Sequence, residues 1–225
     1  MIDQDDDSDE ARLQAAIALG DEGRERLVDL AFGGSLATGW TAADALSARA
    51  VVAVAERLSH ERLLEILESA LLRRRAQTAC ACIDVLARSG GARDLDRLVK
   101  VMLTSRGPAA LAAVRALGAT GLPSLEGPLL ESLERGLPEL RAAVAEALGR
   151  VGSARSVLPL KEAEDRHPDD GKLRRAARHA VVQIQSRLSG ASPGQLSLAE
   201  GQGGQLSLDE SAAGRLTLPE KGRSD

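Results

Sequence analysis

The sequence predicts an all-α protein: a right-handed α-solenoid of stacked helix pairs, followed by a disordered C-terminal tail. Two observations carry that prediction. Apolar columns recur at an offset of 31 residues through the middle of the chain. The composition is also one-sided, with 44% hydrophobic residues but only 1% aromatic ones. Leu, Ala and Val must therefore do the packing, which suits helices that approach through small-residue faces. Long strands rich in Val, Ile and aromatics are not visible.

The repeat is read column by column. Leu67, Leu98, Leu129 and Leu160 align at the offset of 31, as do Leu86, Leu117 and Leu148. Leu71, Met102 and Leu133 form another column, and Pro128 aligns with Pro159. Ser59, Gly90, Gly121 and Gly152 fall just after apolar-periodic segments. A helix C-terminus there favours a residue tolerant of positive φ. Ala142 and Ala143 recur as Ala176 and Ala177 after a three-residue slip, which follows the insertion-like HPDDG at 167–171. Each unit thus reads as helix, turn, helix. The first helices (A) are expected at 59–72, 92–105, 123–135 and 155–166. The second helices (B) are expected at 42–58, 74–88, 108–119, 138–150 and 171–188. A Pro early in an A helix removes one backbone bond and tends to kink it.

The ends are less regular. Residues 1–9 form an acidic extension, and residues 1–10 together carry a local charge of −6. Ser8 is placed to cap a helix running to about Leu19. Asp21 opens another that runs to about Phe32, and a glycine-rich loop follows. Thr41 can cap the first B helix, with Asp44 as its capping-box partner. Trp40, just before that cap, reads as a hydrophobic staple or plug, with an exposed anchor as the alternative. Helix pairs that cannot bury their apolar faces alone must stack, and residues 10–189 are assigned to that stack.

The pattern LRAAVAEALG at 140–149, preceded by a Pro-bearing Leu-rich helix, resembles the HEAT repeat. The 31-residue unit and its ALGxxG ending are similar to the short bacterial variant found in phycobilisome-lyase-type proteins. The resemblance spans roughly 10–189 and is most specific in 122–152. It implies that the B helices line a concave face. It also implies a non-catalytic scaffold or adaptor for protein partners, and the short repeat type with the Ala/Arg/Gly-rich composition points to a bacterium; a cytoplasmic location is expected from the want of a membrane span and of a signal peptide.

Composition weighs against other classes. The net charge is −4, and with −6 at the N-terminus and −2 over 190–225 the body carries only +4. A dedicated nucleic-acid binder shows a stronger basic footprint. It would also need aromatics for base stacking, and the chain has one Trp, one Phe and no Tyr. A bilin-lyase accessory subunit, the other alternative, would want a more aromatic pocket. There is no nucleotide-binding, hydrolase or zinc-protease motif, so no catalytic residue, cofactor or metal is assigned. No apolar run approaches the ~20 residues of a membrane span, and the acidic start is no signal peptide. Cys80 and Cys82 diverge on a helix and read as buried structural thiols. His60 beside Ser59 reads as a solvated residue at a capped helix start. His167 lies in an exposed loop, where Asp169 and Asp170 begin the next helix. His179 belongs to a polar face.

Basic clusters are the candidate partner-binding residues: Arg73, Arg74 and Arg75 at the start of one B helix, Arg141 early in another, and Lys172, Arg174, Arg175 and Arg178 on the last. An inner strip of them would suit an acidic protein or peptide surface. Their competing reading is a solvated helix face.

Residues 190–225 are rich in Gly, Ser, Glu and Pro. They carry GQLSL at 194–198, GQLSL at 204–208 and GRLTL at 214–218. Alternation puts Leu196 with Leu198, Leu206 with Leu208, and Leu216 with Leu218 on one side of an extended strand. The form resembles the front of the sliding-clamp-binding motif, but Ala199, Asp209 and Pro219 stand where that motif continues with an aromatic. Three readings stay open: multivalent binding to a partner's sheet edge, docking on the solenoid itself, and a slippage product with no role.

Overall fold

The structure is a computed structural model that describes residues 3–33, 40–89, 91–135 and 137–187. The described residues form eleven α-helices and three 3-10 turns. Helix α1 (Asp3–Ala18) precedes five helix pairs. The A-type helices are α2 (Arg24–Phe32), α4 (His60–Leu72), α6 (Ala92–Thr104), α8 (Glu126–Arg135) and α10 (Val157–Arg166). The B-type helices are α3 (Trp40–Val54), α5 (Ala76–Ser89), α7 (Gly107–Ala119), α9 (Pro138–Val151) and α11 (Gly171–Arg187). B helices pack on B helices in sequence order, and each A helix lies against its own B helix. The all-α solenoid is therefore observed, with the predicted repeat boundaries met to within a few residues.

The apolar columns form one continuous core. Leu67, Leu98, Leu129 and Leu160 are almost fully buried, as are Leu86, Leu117 and Leu148. Alanine lines the B-helix seams at Ala110, Ala113, Ala145, Ala147, Ala177 and Ala180. Two glycines sit in those seams at the repeat spacing. A Cβ on Gly118 of α7 would stand 2.6 Å from the Ala147 Cβ and 2.9 Å from its Cα on α9. A Cβ on Gly149 of α9 would stand 3.0 Å from the Ala180 Cα on α11. Glycine is thus what lets these helices approach.

The predicted glycine column behaves unevenly. Gly121 has φ +69, as a left-handed cap requires. Gly152 is extended, with φ −68 and ψ 154. Its constraint is space, because a Cβ would meet the Leu148 carbonyl at 2.6 Å and Ser156 Oγ at 2.7 Å. Ser59 caps α4 by accepting a hydrogen bond from the Arg62 amide. Pro128 and Pro159 stand in the first turn of α8 and α10. Pro128 and Pro159 lack the N–H that would close the preceding α-turn, and 3-10 turns at Pro123–Leu125 and Ala154–Ser156 precede α8 and α10.

Three local expectations change. Helix α1 begins at Asp3, ahead of Ser8. Helix α2 opens at Arg24, with Gly23 rather than Asp21 at its cap. Thr41 lies inside α3, and Asp44 is no capping-box partner. Asp44 instead reaches one repeat further: its carboxylate accepts hydrogen bonds from the Gln77 amide at 2.9 Å, the Thr78 amide at 3.0 Å and the Thr78 hydroxyl at 2.7 Å. A buried side chain of one B helix therefore caps the next.

Candidate interaction groove on the B helices

The B helices present two adjoining grooves. The first, of about 1000 Å³, runs over α3, α5 and α7. Ala48, Val52, Ala76, Cys80, Ala81, Ala87, Pro108, Ala116 and Ala119 make its lining mainly apolar, with Gln77, Asp84, Arg88 and Thr120 at its margins. Val52 is 58% exposed there. The second groove, of about 640 Å³, continues over α7, α9 and α11. Arg115, Arg150, Lys172 and Arg175 line it against Glu139 and Glu146, with His179 and Gln183 beside them. Four cations against two carboxylates leave this half net basic.

The arginine candidates separate by helix face. Lys172, Arg175 and His179 follow a spacing of three and four on α11, so they share one face and enter the second groove. Arg174 and Arg178 point the other way. Both reach Glu164 on α10, Arg178 at 2.7 Å and Arg174 at 3.8 Å. Arg174 also donates to the Pro168 carbonyl at 3.2 Å. Arg141 is half-buried and does not line either groove.

At the other end the triple arginine is divided in the same way. Arg75 is buried at 8% exposure and donates to the Phe32 carbonyl and to Ser47 Oγ, each at 3.3 Å. Burial, then the nearby Arg73 charge, lower its pKa, and the Asp44 carboxylate opposes them. Arg75 therefore fastens α2 to α3 and α5 and offers no charge to a partner. Gly33 makes room for it, since a Cβ there would overlap the guanidinium. Arg73 stays exposed and donates to the same Phe32 carbonyl at 3.4 Å. Arg62 lies over the Phe32 ring, 4.9 Å from its centroid.

The two thiols also part company. Cys82 is buried, and desolvation pushes its pKa up to about 12. Cys80 is half-buried and lines the first groove, so only one of the pair is purely a core residue. Its pKa is raised by burial and then by the Asp84 and Asp44 carboxylates. His60 is not merely solvated: its Nδ1 stands 2.7 Å from the buried Asp94 carboxylate on α6. Asp170 accepts from the Lys172 and Leu173 amides and so caps α11, as its place in the HPDDG loop predicts.

Arg115 and Arg150 are groove residues that charge clustering does not reveal. Both sit singly among apolar neighbours in the sequence, away from any basic run. Their separation of 35 residues, about one repeat, is the signal that could have found them. Leu196, Leu198, Leu206, Leu208, Leu216 and Leu218 lie outside the described residues, and so does the side chain of Trp40.

Among the described residues there is no group of three or more His, Cys, Asp or Glu placed to hold a metal ion. No helix among them is long and apolar enough to cross a membrane. Residues 107–182, from the first residue of α7 into α11, match the family model for HEAT repeats. The match thus falls on the stack that carries the second groove and the two glycine seams. No curated protein matches the chain.

Proposed function

We propose that the protein is a non-catalytic interaction scaffold that holds an extended, acidic protein segment along its B helices. The observation that carries this reading is a pair of grooves that share α7, one apolar over α3, α5 and α7 and one net basic over α7, α9 and α11. A solenoid offers such an extended surface without chemistry of its own. Apolar side chains of a bound segment would settle among the alanines and Val52, and acidic ones would face Arg115, Arg150, Lys172 and Arg175. Arg174 and Arg178 drop out of this strip because Glu164 engages them, and Arg75 drops out because it is buried. Among the described residues the groove linings contain no Phe, Tyr or Trp, which favours a peptide over a stacked base or a conjugated pigment.

The test uses the full chain as bait in extract from its source. A partner identified there is purified and titrated against the unaltered chain and against Arg115→Glu/Arg175→Glu. Both arginines are exposed, so the double change leaves the helical melt intact. Loss of two favourable interactions and gain of repulsion should weaken binding roughly tenfold or more, with the unaltered complex weakening as salt rises. Equal affinity for both proteins would remove the groove from the account.

A further inference from the structure

Resting on that reading of the groove, we infer that the protein carries its own occupant: the second tail copy, Gly204–Leu208, docks in the apolar groove over α3, α5 and α7.

Three features select it. The first is charge. Between 189 and 214 the chain has Glu200, Asp209 and Glu210 and no Lys, Arg or His. The stretch that leads to this copy, 188–203, carries Glu200 as its one charge, and Glu200 would face the net basic second groove on the way to the first one. The third copy differs, being accompanied by Arg215, Lys221 and Arg223.

The second feature is reach. The tail leaves from the end of α11, three B-helix spacings from α5. At about 8–10 Å per packed helix that span is roughly 24–30 Å. Leu206 lies 19 residues beyond Arg187. Gly/Ser-rich sequence of that length has a root-mean-square extent of about 22–26 Å, which matches the span. The first copy, nine residues beyond Arg187 at Leu196, has a typical extent of only about 15–18 Å.

The third feature is chemistry. Leu206 and Leu208 share one side of an extended segment and need an apolar bed. The first groove supplies one in Ala81, Ala116 and the exposed Val52. Gln77, Asp84 and Arg88 at its margins can pair with the segment's backbone. A tethered ligand at millimolar effective concentration fills such a site even when its intrinsic affinity is weak. The tail then acts as a stand-in that a partner must displace.

Cys80 supplies the readout, because it lines this groove while Cys82 is buried. The rate of its modification by a thiol reagent is measured in three full-length chains: unaltered, Leu206→Ser/Leu208→Ser and Leu216→Ser/Leu218→Ser. The unaltered chain should react about sixfold more slowly than the second-copy variant, the protection that an effective concentration of about 1 mM gives against a dissociation constant of about 0.2 mM. The third-copy variant should react like the unaltered chain. A synthetic peptide of residues 202–211, added to the second-copy variant, should restore protection. Equal rates in all three chains would overturn the docking. So would protection that rises with protein concentration, which would mark a second copy of the chain as the occupant. Neither result touches the scaffold reading, which stands or falls on the Arg115/Arg175 titration.

Discussion

At the residue scale, polar side chains bind one repeat to the next, and Glu126 is the clearest case. Its carboxylate accepts hydrogen bonds from Ser156 Oγ at 2.6 Å, the Ser153 amide at 2.8 Å and Ser153 Oγ at 2.9 Å. Burial alone would raise its pKa, but the hydrogen bonds from Ser156 and Ser153, aided by the Arg155 charge, outweigh it and lower the value. A carboxylate whose folded pKa is depressed adds stability above its unfolded pKa, and that increment fades as pH falls through the folded value. Glu126→Gln should therefore lower the urea midpoint at neutral pH. The gap between variant and unaltered chain should close as pH falls below 4.5, the ordinary glutamate value. A gap that stays constant down to strongly acid pH would show that the charge on Glu126 contributes nothing. Asp44 plays the same linking part on the B side, although its sequence context suggests a local capping box. The residue type is legible as a cap; the helix it caps is not, because its partners lie 33 and 34 residues away. Arg75 is hidden for a related reason. Three adjacent arginines look alike in sequence, and only the turn after α4, where Arg74 takes φ 56, sends one of them inward.

At the element scale, helix positions are readable because their punctuation is local: Ser59 and Asp170 as caps, Pro138 at the first position of α9, Gly121 beyond α7. The closeness of the B helices is only half readable. The alanines announce it, but Gly118 and Gly149 pass as parts of a helix ending. Their real constraint is the neighbouring helix, and it reverses an ordinary rule. Gly→Ala inside a helix normally stabilises by about 0.5–1 kcal/mol. At Gly118 the added methyl would meet the Ala147 backbone at 2.9 Å, which a rotamer change cannot relieve. Overpacking of this kind costs about 1–3 kcal/mol, so Gly118→Ala should destabilise the fold on balance. Pairing it with Ala147→Gly should recover part of the loss, because the 2.6 Å clash with the Ala147 side chain disappears while the clash with the backbone of residue 147 remains. Chemical denaturation of both single variants and the double variant measures that coupling. Strict additivity would mean that α7 and α9 separate freely and that the glycine is not what sets their approach.

At the scale of the whole molecule, the solenoid is a chain of nearest-neighbour interfaces, so damage should spread only as far as the adjoining repeat. The C-terminal end tests this, because Arg187 at the end of α11 folds back over the end of α9. It donates to the Gly149 carbonyl and, at 2.7 Å, to the Gly152 carbonyl. Those acceptors belong to the last turn of α9 and its cap, where carbonyls lack partners within the helix and a cation also favours the dipole. Removing the guanidinium in Arg187→Ala should therefore loosen α11 against α9. Amide exchange should quicken over the last turns of α9 and α11 and stay unchanged in α3 and α5, two or more repeats away. Uniformly faster exchange from α3 to α11 would instead mark a single cooperative unit, in which the groove could not open at one end alone. The local outcome would let the basic half over α9 and α11 adjust to a bound segment while the apolar half over α3 and α5 keeps its shape. The scaffold proposed above would need that independence to exchange one occupant for another.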